Sequence, residues 1–201
     1  SNIGIVQFAQ RLTPRERYAV LRDAGFGAPT GTTYPSESPG RLAPPKTWTQ
    51  QSPASLAMGY EILVTPLQLA TAYAAIANGG ELLQPALIKE IHSADGALRF
   101  RHERRAVRRL MSPEVARTMR GLLKSVVDGG TAEGSSLATF DVAGKTGTAK
   151  VARNGHYVKG VYTASFVGMF PADAPQIVIL VKLDNPRKSI YGGKTAAPVK
   201  D

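Results

Sequence analysis

Across its last third the chain gives up helical spacing for strand-like runs, at Val142 to Val151, Val161 to Phe170 and Gln176 to Leu183. Consecutive strands must pair, because an unpaired buried backbone leaves its N–H and C=O groups without partners. Only Pro171 to Pro175 separates the last two, too short for a parallel crossover, so they are expected to form an antiparallel hairpin. The third run is nearly all apolar, which predicts a central position in the sheet.

The residues before this sheet read mainly as helices. Ile5, Phe8 and Leu12 recur at helical spacing, which places Asn2 at the start of an amphipathic helix. Thr13, Pro14 and Glu16 form a capping box with proline at the first helical position, predicting a second helix that stops at Gly25 and pairs tightly with the first. Thr65, Pro66 and Gln68 repeat that signal ahead of Leu67, Ala70, Tyr73, Ala74 and Ala77, a face expected to pack deeply before Asn78, Gly79 and Gly80 end the helix. Ser112 and Pro113 open another, with Val115, Met119, Leu122, Leu123 and Val126 on one face, ended by Gly129 and Gly130. Helices first and an antiparallel sheet afterwards predict an α+β domain with helices packed against the sheet.

Two stretches interrupt this order. From Gly27 to Pro53, six prolines with several Gly and Ser exclude a long regular element, and Tyr34 and Trp48 suggest an ordered surface loop that packs against something. Leu82 to Arg105 reads as short strands about an Asp95-Gly96 turn.

Composition removes several functions. With no cysteine, disulfides and thiolate metal sites are excluded, and His92, His102 and His156 are too far apart for a histidine ligand pair, so neither metal nor cofactor is expected. The net charge of +10 is concentrated in Arg99, Arg101, Arg104, Arg105, Arg108 and Arg109. That cluster has only Phe100 as an aromatic and sits on no recognisable nucleic-acid module, so a solvated basic hairpin or loop is the reading, with no nucleic-acid partner, and an electrostatic preference for an anionic envelope surface is the alternative. No run approaches the roughly 18 apolar residues of a membrane span, and Ser1 to Gln10 has no signal-peptide pattern.

The most informative short motif is Lys145, Thr146, Gly147 and Thr148, on the first predicted strand. Alone, a Lys-Thr-Gly triplet also describes any strand with an exposed lysine and a glycine. The chain supplies its own near-repeat in Lys194, Thr195 and Ala196, which follows Gly192 and Gly193 with no strand beneath it. Context separates the two. K-T-G belongs with S-x-x-K in the signature of penicillin-binding proteins and class A β-lactamases, and four further stretches accompany it in order: Pro29 to Gly40, Met58 to Asn78, Val126 to Ala132 and Tyr191 to Val199. On these residues the chain resembles, over nearly its whole length, the transpeptidase domain of high-molecular-weight class B penicillin-binding proteins.

The resemblance implies the β-lactamase/transpeptidase-like α+β fold and a serine D,D-transpeptidase that cross-links peptidoglycan stem peptides and is inhibited by β-lactams. It makes Ser1 and Asn2 the last two residues of an S-x-N motif, so that Asn2 hydrogen-bonds the substrate amide or the lysine partner of the nucleophile. It assigns Lys145, Thr146 and Thr148 to the terminal carboxylate of the substrate, Gly147 to close approach, and the Thr148 N–H to an oxyanion hole. Lys145 would also favour deprotonation of the serine-lysine network. No serine here has a lysine three residues on, so the nucleophile is expected outside these 201 residues and residues 1–201 are read as one partial domain, truncated at both ends and inactive alone. Exposed apolar surface and strand edges would then favour self-association or leave these residues marginally stable.

The resemblance further implies other cell-wall synthesis proteins as partners and an extracytoplasmic location held by an upstream anchor. Two other readings within the superfamily are a β-lactamase, for which no deacylating base is found, and a non-catalytic β-lactam-sensing or scaffold module. An amino-terminal nucleophile at Ser1 is disfavoured because Ser1 leads straight into a helix.

Overall fold

A computed structural model of the chain describes residues 1–134, 139–153 and 156–200, so Asp201 at the end of the tail lies outside the described residues. The described chain divides into two compact units, Ser1–Ala72 with Glu81–Leu110, and Tyr73–Gly80 with Met111–Asp201.

In the first unit, α1 (Asn2–Ala9) begins where Ser1 Oγ accepts the Gly4 N–H at 3.3 Å. Several of its apolar side chains face outward, with Ile3 73% and Phe8 63% exposed, while Val6 and Ala9 are half-buried. In α2 (Pro14–Asp23) the capping box forms as the sequence predicts: Thr13 Oγ1 accepts the Glu16 N–H at 3.3 Å while Glu16 Oε2 accepts the Thr13 N–H at 2.7 Å. The expected tight α1–α2 pair does not form, and α1 lies instead against α3 (Ser52–Ala57). Arg15, Glu16, Arg17, Arg22 and Asp23 leave α2 little apolar surface to offer.

The proline-rich stretch is ordered around hydrogen bonds. Glu37 accepts the N–H groups of Thr30 at 2.8 Å and Gly31 at 3.3 Å, and the Trp48 indole donates to the Ala43 carbonyl at 2.9 Å. Tyr34, expected to pack, is 62% exposed. A short ladder joins β1 (Arg41–Leu42) to β2 (Ile62–Leu63). Beneath it lies Gln68, fully buried in the first turn of α4 (Pro66–Ala77). Its Oε1 accepts the Thr65 N–H at 2.9 Å, and its Nε2 donates to the carbonyls of Ala28 at 2.7 Å and Pro39 at 2.8 Å. A Cβ on Gly40, whose φ is +64°, would stand 2.9 Å from Gln68 Oε1 and 2.3 Å from the Leu63 carbonyl oxygen, so only glycine fits there. The deep packing expected of α4 is confined to Gln68 and Ala75; its other residues are half-buried or exposed.

The basic stretch folds as two antiparallel pairs, β3 (Glu81–Leu83) with β6 (Ala106–Arg109) and β4 (Glu90–His92) with β5 (Leu98–Arg101). Between β4 and β5 the Ser93 N–H donates to the Ala97 carbonyl at 2.9 Å across the Asp95-Gly96 turn. Arg101 pairs with Glu90 at 3.1 Å, Arg108 with Asp23 at 3.1 Å, and Arg104 and Arg109 both with Glu81. The arginine cluster is thus a solvated, salt-bridged hairpin surface.

In the second unit, α5 (Pro113–Gly129) starts at Ser112, whose Oγ accepts the Val115 N–H at 3.2 Å. Its buried stripe is Ala116, Leu123 and Val127, whereas Val115 and Leu122, expected on the packed face, are exposed. Arg120 falls on the same stripe and donates to the Ile76 carbonyl at 3.3 Å, so a polar residue shares the packed face and masks it from a reading by hydrophobicity.

The sheet comprises β7 (Ala143–Arg153), β8 (His156–Phe170) and β9 (Ile177–Asp184), all antiparallel, in the order β7-β8-β9. β8, not β9, is therefore central among the described strands. The apolar run of β9 has another cause: Val178 packs with Leu123, Ala143, Met169 and Ala172, while Val181 and Leu183 pack with Val127, Val142 and Phe166. Alternation sends residues 178 and 181 to opposite faces, and likewise 166 and 169, so the sheet is covered on both sides. Helices packed against an antiparallel sheet make this an α+β fold.

Candidate active site

β7 owes its path to glycine. A Cβ on Gly144 would stand 2.6 Å from the Val167 carbonyl oxygen and 2.8 Å from the Phe166 ring, so the absence of a side chain is what admits the buried aromatic. Pairing then fixes the motif: Lys145 opposes Val167, Thr146 opposes Phe166, Gly147 opposes Ser165 and Thr148 opposes Ala164. Because β7 is an edge strand among the described residues, alternate backbone groups of the motif are turned away from β8.

Polar groups gather at this edge. Lys145 Nζ donates to the Thr146 carbonyl at 2.9 Å and lies 3.5 Å from both Thr146 Oγ1 and Thr131 Oγ1. Thr146 Oγ1 donates to Thr131 Oγ1 at 2.8 Å. Desolvation lowers the Lys145 ammonium pKa from the usual lysine value, although part of the side chain remains open to solvent. A cation beside two hydroxyl groups on a strand edge is suited to bind a carboxylate.

Thr146 and Thr148 share one face of β7, and the short helical turn α6 (Gly192–Thr195) lies over it. The Gly192 N–H donates to Thr148 Oγ1 at 3.3 Å, and a Cβ on Gly193 would stand 3.5 Å from Thr146 Cγ2. The group closest to the missing Gly147 side chain is Ser165, whose Oγ would be 2.4 Å from a Cβ there. Lys194, in the near-repeat, sits on α6 and not on a strand, as its context predicts.

The structure thus brings Lys145, Thr146, Gly147 and Thr148 together on one strand. Asn2 belongs to the first unit, exposed at the start of α1. Thr131, Gly192 and Gly193 were not identified as site residues from the sequence. Their one sequence signal is membership in the Val126–Ala132 and Tyr191–Val199 stretches, which carry the resemblance without saying what each residue touches.

An α+β fold with this strand defines the superfamily of penicillin-binding proteins and serine β-lactamases. Within it the chain belongs to the penicillin-binding protein transpeptidase domain family, whose model matches residues 1–201. It is 37% identical over 210 residues to penicillin-binding protein PbpB of Mycolicibacterium smegmatis, covering 99% of this chain and 32% of that protein. It is 35% identical over 200 residues to the probable peptidoglycan D,D-transpeptidase PbpC of Pseudomonas aeruginosa, covering 98% of this chain and 34% of that protein. Penicillin binding protein 3 of Mycobacterium tuberculosis, solved in complex with aztreonam, superposes with a TM-score of 0.89 at 36% identity, covering 99% of this chain and 47% of that one. The chain therefore spans about a third of the length of these curated relatives. The class B resemblance read from the sequence is borne out.

Proposed function

We propose that this chain forms the substrate-binding strand region of a peptidoglycan D,D-transpeptidase, a serine acyl-transferase that cross-links stem peptides. The observation that carries this is the cluster on β7, with the Lys145 ammonium and the Thr146 hydroxyl within 3.5 Å of each other on a strand edge. A stem peptide ending in D-alanine presents a carboxylate, which Lys145, Thr146 and Thr148 would bind by charge-assisted hydrogen bonds.

The reaction has two steps. The serine of an S-x-x-K pair, which these 201 residues do not contain, attacks the carbonyl of the D-Ala-D-Ala bond and expels D-alanine. An amine from a neighbouring stem peptide then displaces the serine, so that one amide replaces another through an acyl-enzyme. The Thr148 N–H would donate to the oxyanion formed in each step, a contribution of about 3 to 4 kcal/mol where measured in other enzymes. Asn2 would hold the substrate amide or the lysine partner of the nucleophile, and Gly147 keeps the strand narrow where the substrate passes. β-Lactams would acylate the same serine, and the relative solved with aztreonam supports that reading. Such an enzyme works outside the cytoplasmic membrane, anchored by a segment beyond these residues and beside other wall-synthesis proteins.

The test uses the whole protein that carries this chain, labelled with a fluorescent penicillin and resolved on a denaturing gel. Lys145→Ala should slow acylation by about 10- to 100-fold, the range for hydrogen bonds to charged groups. Acylation of Lys145→Ala at the parental rate would refute the role of this strand.

A further inference from the structure

Thr131 lies outside the Lys-Thr-Gly strand, yet its hydroxyl oxygen lies within hydrogen-bonding reach of two of that strand's side chains. It accepts from Thr146 Oγ1 at 2.8 Å and stands 3.5 Å from Lys145 Nζ. We infer that Thr131 is a positioning residue that fixes the Thr146 hydroxyl and the Lys145 ammonium in the geometry that receives an anionic substrate. This deepens the proposed function and rests on its reading of β7.

The surroundings of Thr131 are built to hold it still. Gly130 before it has no room for a side chain, since a Cβ there would be 2.8 Å from the Val126 carbonyl oxygen. Ala132 after it is fully buried among Val127, Phe166 and Ala196, and its N–H donates to the Val126 carbonyl at 3.1 Å. On the other side the Thr131 carbonyl oxygen is held against α6, where a Cβ on Gly193 would come within 2.3 Å of it. The end of α5, the core and α6 thus fix one threonine whose hydroxyl is turned to the strand. Without substrate its oxygen accepts from Thr146 and attracts the ammonium; when a carboxylate takes the Thr146 hydrogen, the Thr131 hydroxyl can turn its own hydrogen to the Thr146 oxygen, so the pair stays joined and the lysine stays beside it. A hydroxyl is required for this; the shape of threonine alone is not enough.

The experiment compares acylation by a fluorescent penicillin in the whole protein for the parent, Thr131→Val, Thr131→Ser and Lys145→Ala, together with the thermal midpoint of each. Thr131→Val keeps the volume and removes the hydroxyl, and is expected to slow acylation roughly threefold to tenfold, the usual effect of one neutral hydrogen bond. Thr131→Ser keeps the hydroxyl and is expected to acylate within about twofold of the parent, the reverse of the order that a role in shape alone would give, because valine keeps the volume of threonine and serine does not. Parental acylation by Thr131→Val beside a crippled Lys145→Ala overturns the role of Thr131 and leaves the strand reading standing. Equal losses in Thr131→Val and Thr131→Ser that follow their thermal midpoints also overturn it. Parental acylation by Lys145→Ala overturns the strand reading and this inference with it.

Discussion

The Gly192 N–H donates to Thr148 Oγ1 at 3.3 Å, tying the start of α6 to the last residue of the Lys-Thr-Gly-Thr motif. The approach is possible because residue 192 has no side chain. A Cβ there would stand 2.2 Å from the Ser165 carbonyl oxygen and 2.6 Å from that of Gly147. Both obstacles are backbone atoms of paired strands, which no change of rotamer moves aside. Gly192→Ala should therefore destabilise the protein by about 1–3 kcal/mol, as overpacking does. Urea denaturation of the two proteins checks this, and an unchanged midpoint would mean that α6 does not sit this close to β7.

Lys145 should titrate below the usual lysine value. Desolvation disfavours its charged form, so its pKa in the folded protein lies below the usual 10.5. Between the folded and unfolded values the unfolded chain binds more protons, so this group makes stability rise with pH across that window. A titration of the lysine Cε resonances by NMR should show for Lys145, assigned by its disappearance in Lys145→Met, a midpoint below the usual lysine value.

Gln68 fills a site lined by backbone groups and should not be replaceable by an apolar residue of similar size. Gln68→Leu would leave the Thr65 N–H and the carbonyls of Ala28 and Pro39 without the partner they have now. Stranding one buried polar group costs about 1–3 kcal/mol, so the loss should reach at least that range. Denaturant midpoints measure it, and a neutral Gln68→Leu would mean that water replaces the amide.

Glu81 should lend the β3–β6 pair a stability that acid removes. Its carboxyl pKa is lowered, first by the hydrogen bond from Arg104, with Arg109 adding to the effect. A depressed carboxylate stabilises above its unfolded pKa and loses that contribution as pH falls through the folded one. The urea midpoint of Glu81→Gln should accordingly lie below that of the parent at neutral pH and converge with it in acid. Parallel midpoints at all pH values would show that these solvent-exposed pairs contribute nothing, as many surface pairs do.

Local signals made much of the fold legible. The Thr13–Glu16 and Thr65–Gln68 caps, the Ser112 cap, the Gly129-Gly130 stop and the Asp95-Gly96 turn depend on residues at most three or four apart, so the sequence states them directly. The strand carrying Lys145, Thr146, Gly147 and Thr148 was equally readable, since period-two spacing is a local property too.

What the sequence left open involves partners distant along the chain. The apolar run of β9 says that both faces are covered, and two different positions in a sheet meet that condition; the two consecutive hairpins place β8 in the middle. The side chains of α1 repeat every three or four residues whichever helix lies beside them, and α3 is the neighbour. The same limit applies at the site. Lys145 and Thr146 announce themselves by motif, but that Thr131 accepts from one and attracts the other, and that Gly192 reaches Thr148 across 44 residues, follows only from chain paths meeting in space. Sequence alone determined which residue types occupy the strand, because propensity and spacing act between neighbours. Tertiary structure decided what holds those residues in place, because close packing and hydrogen bonding act on distance in space whatever the separation along the chain.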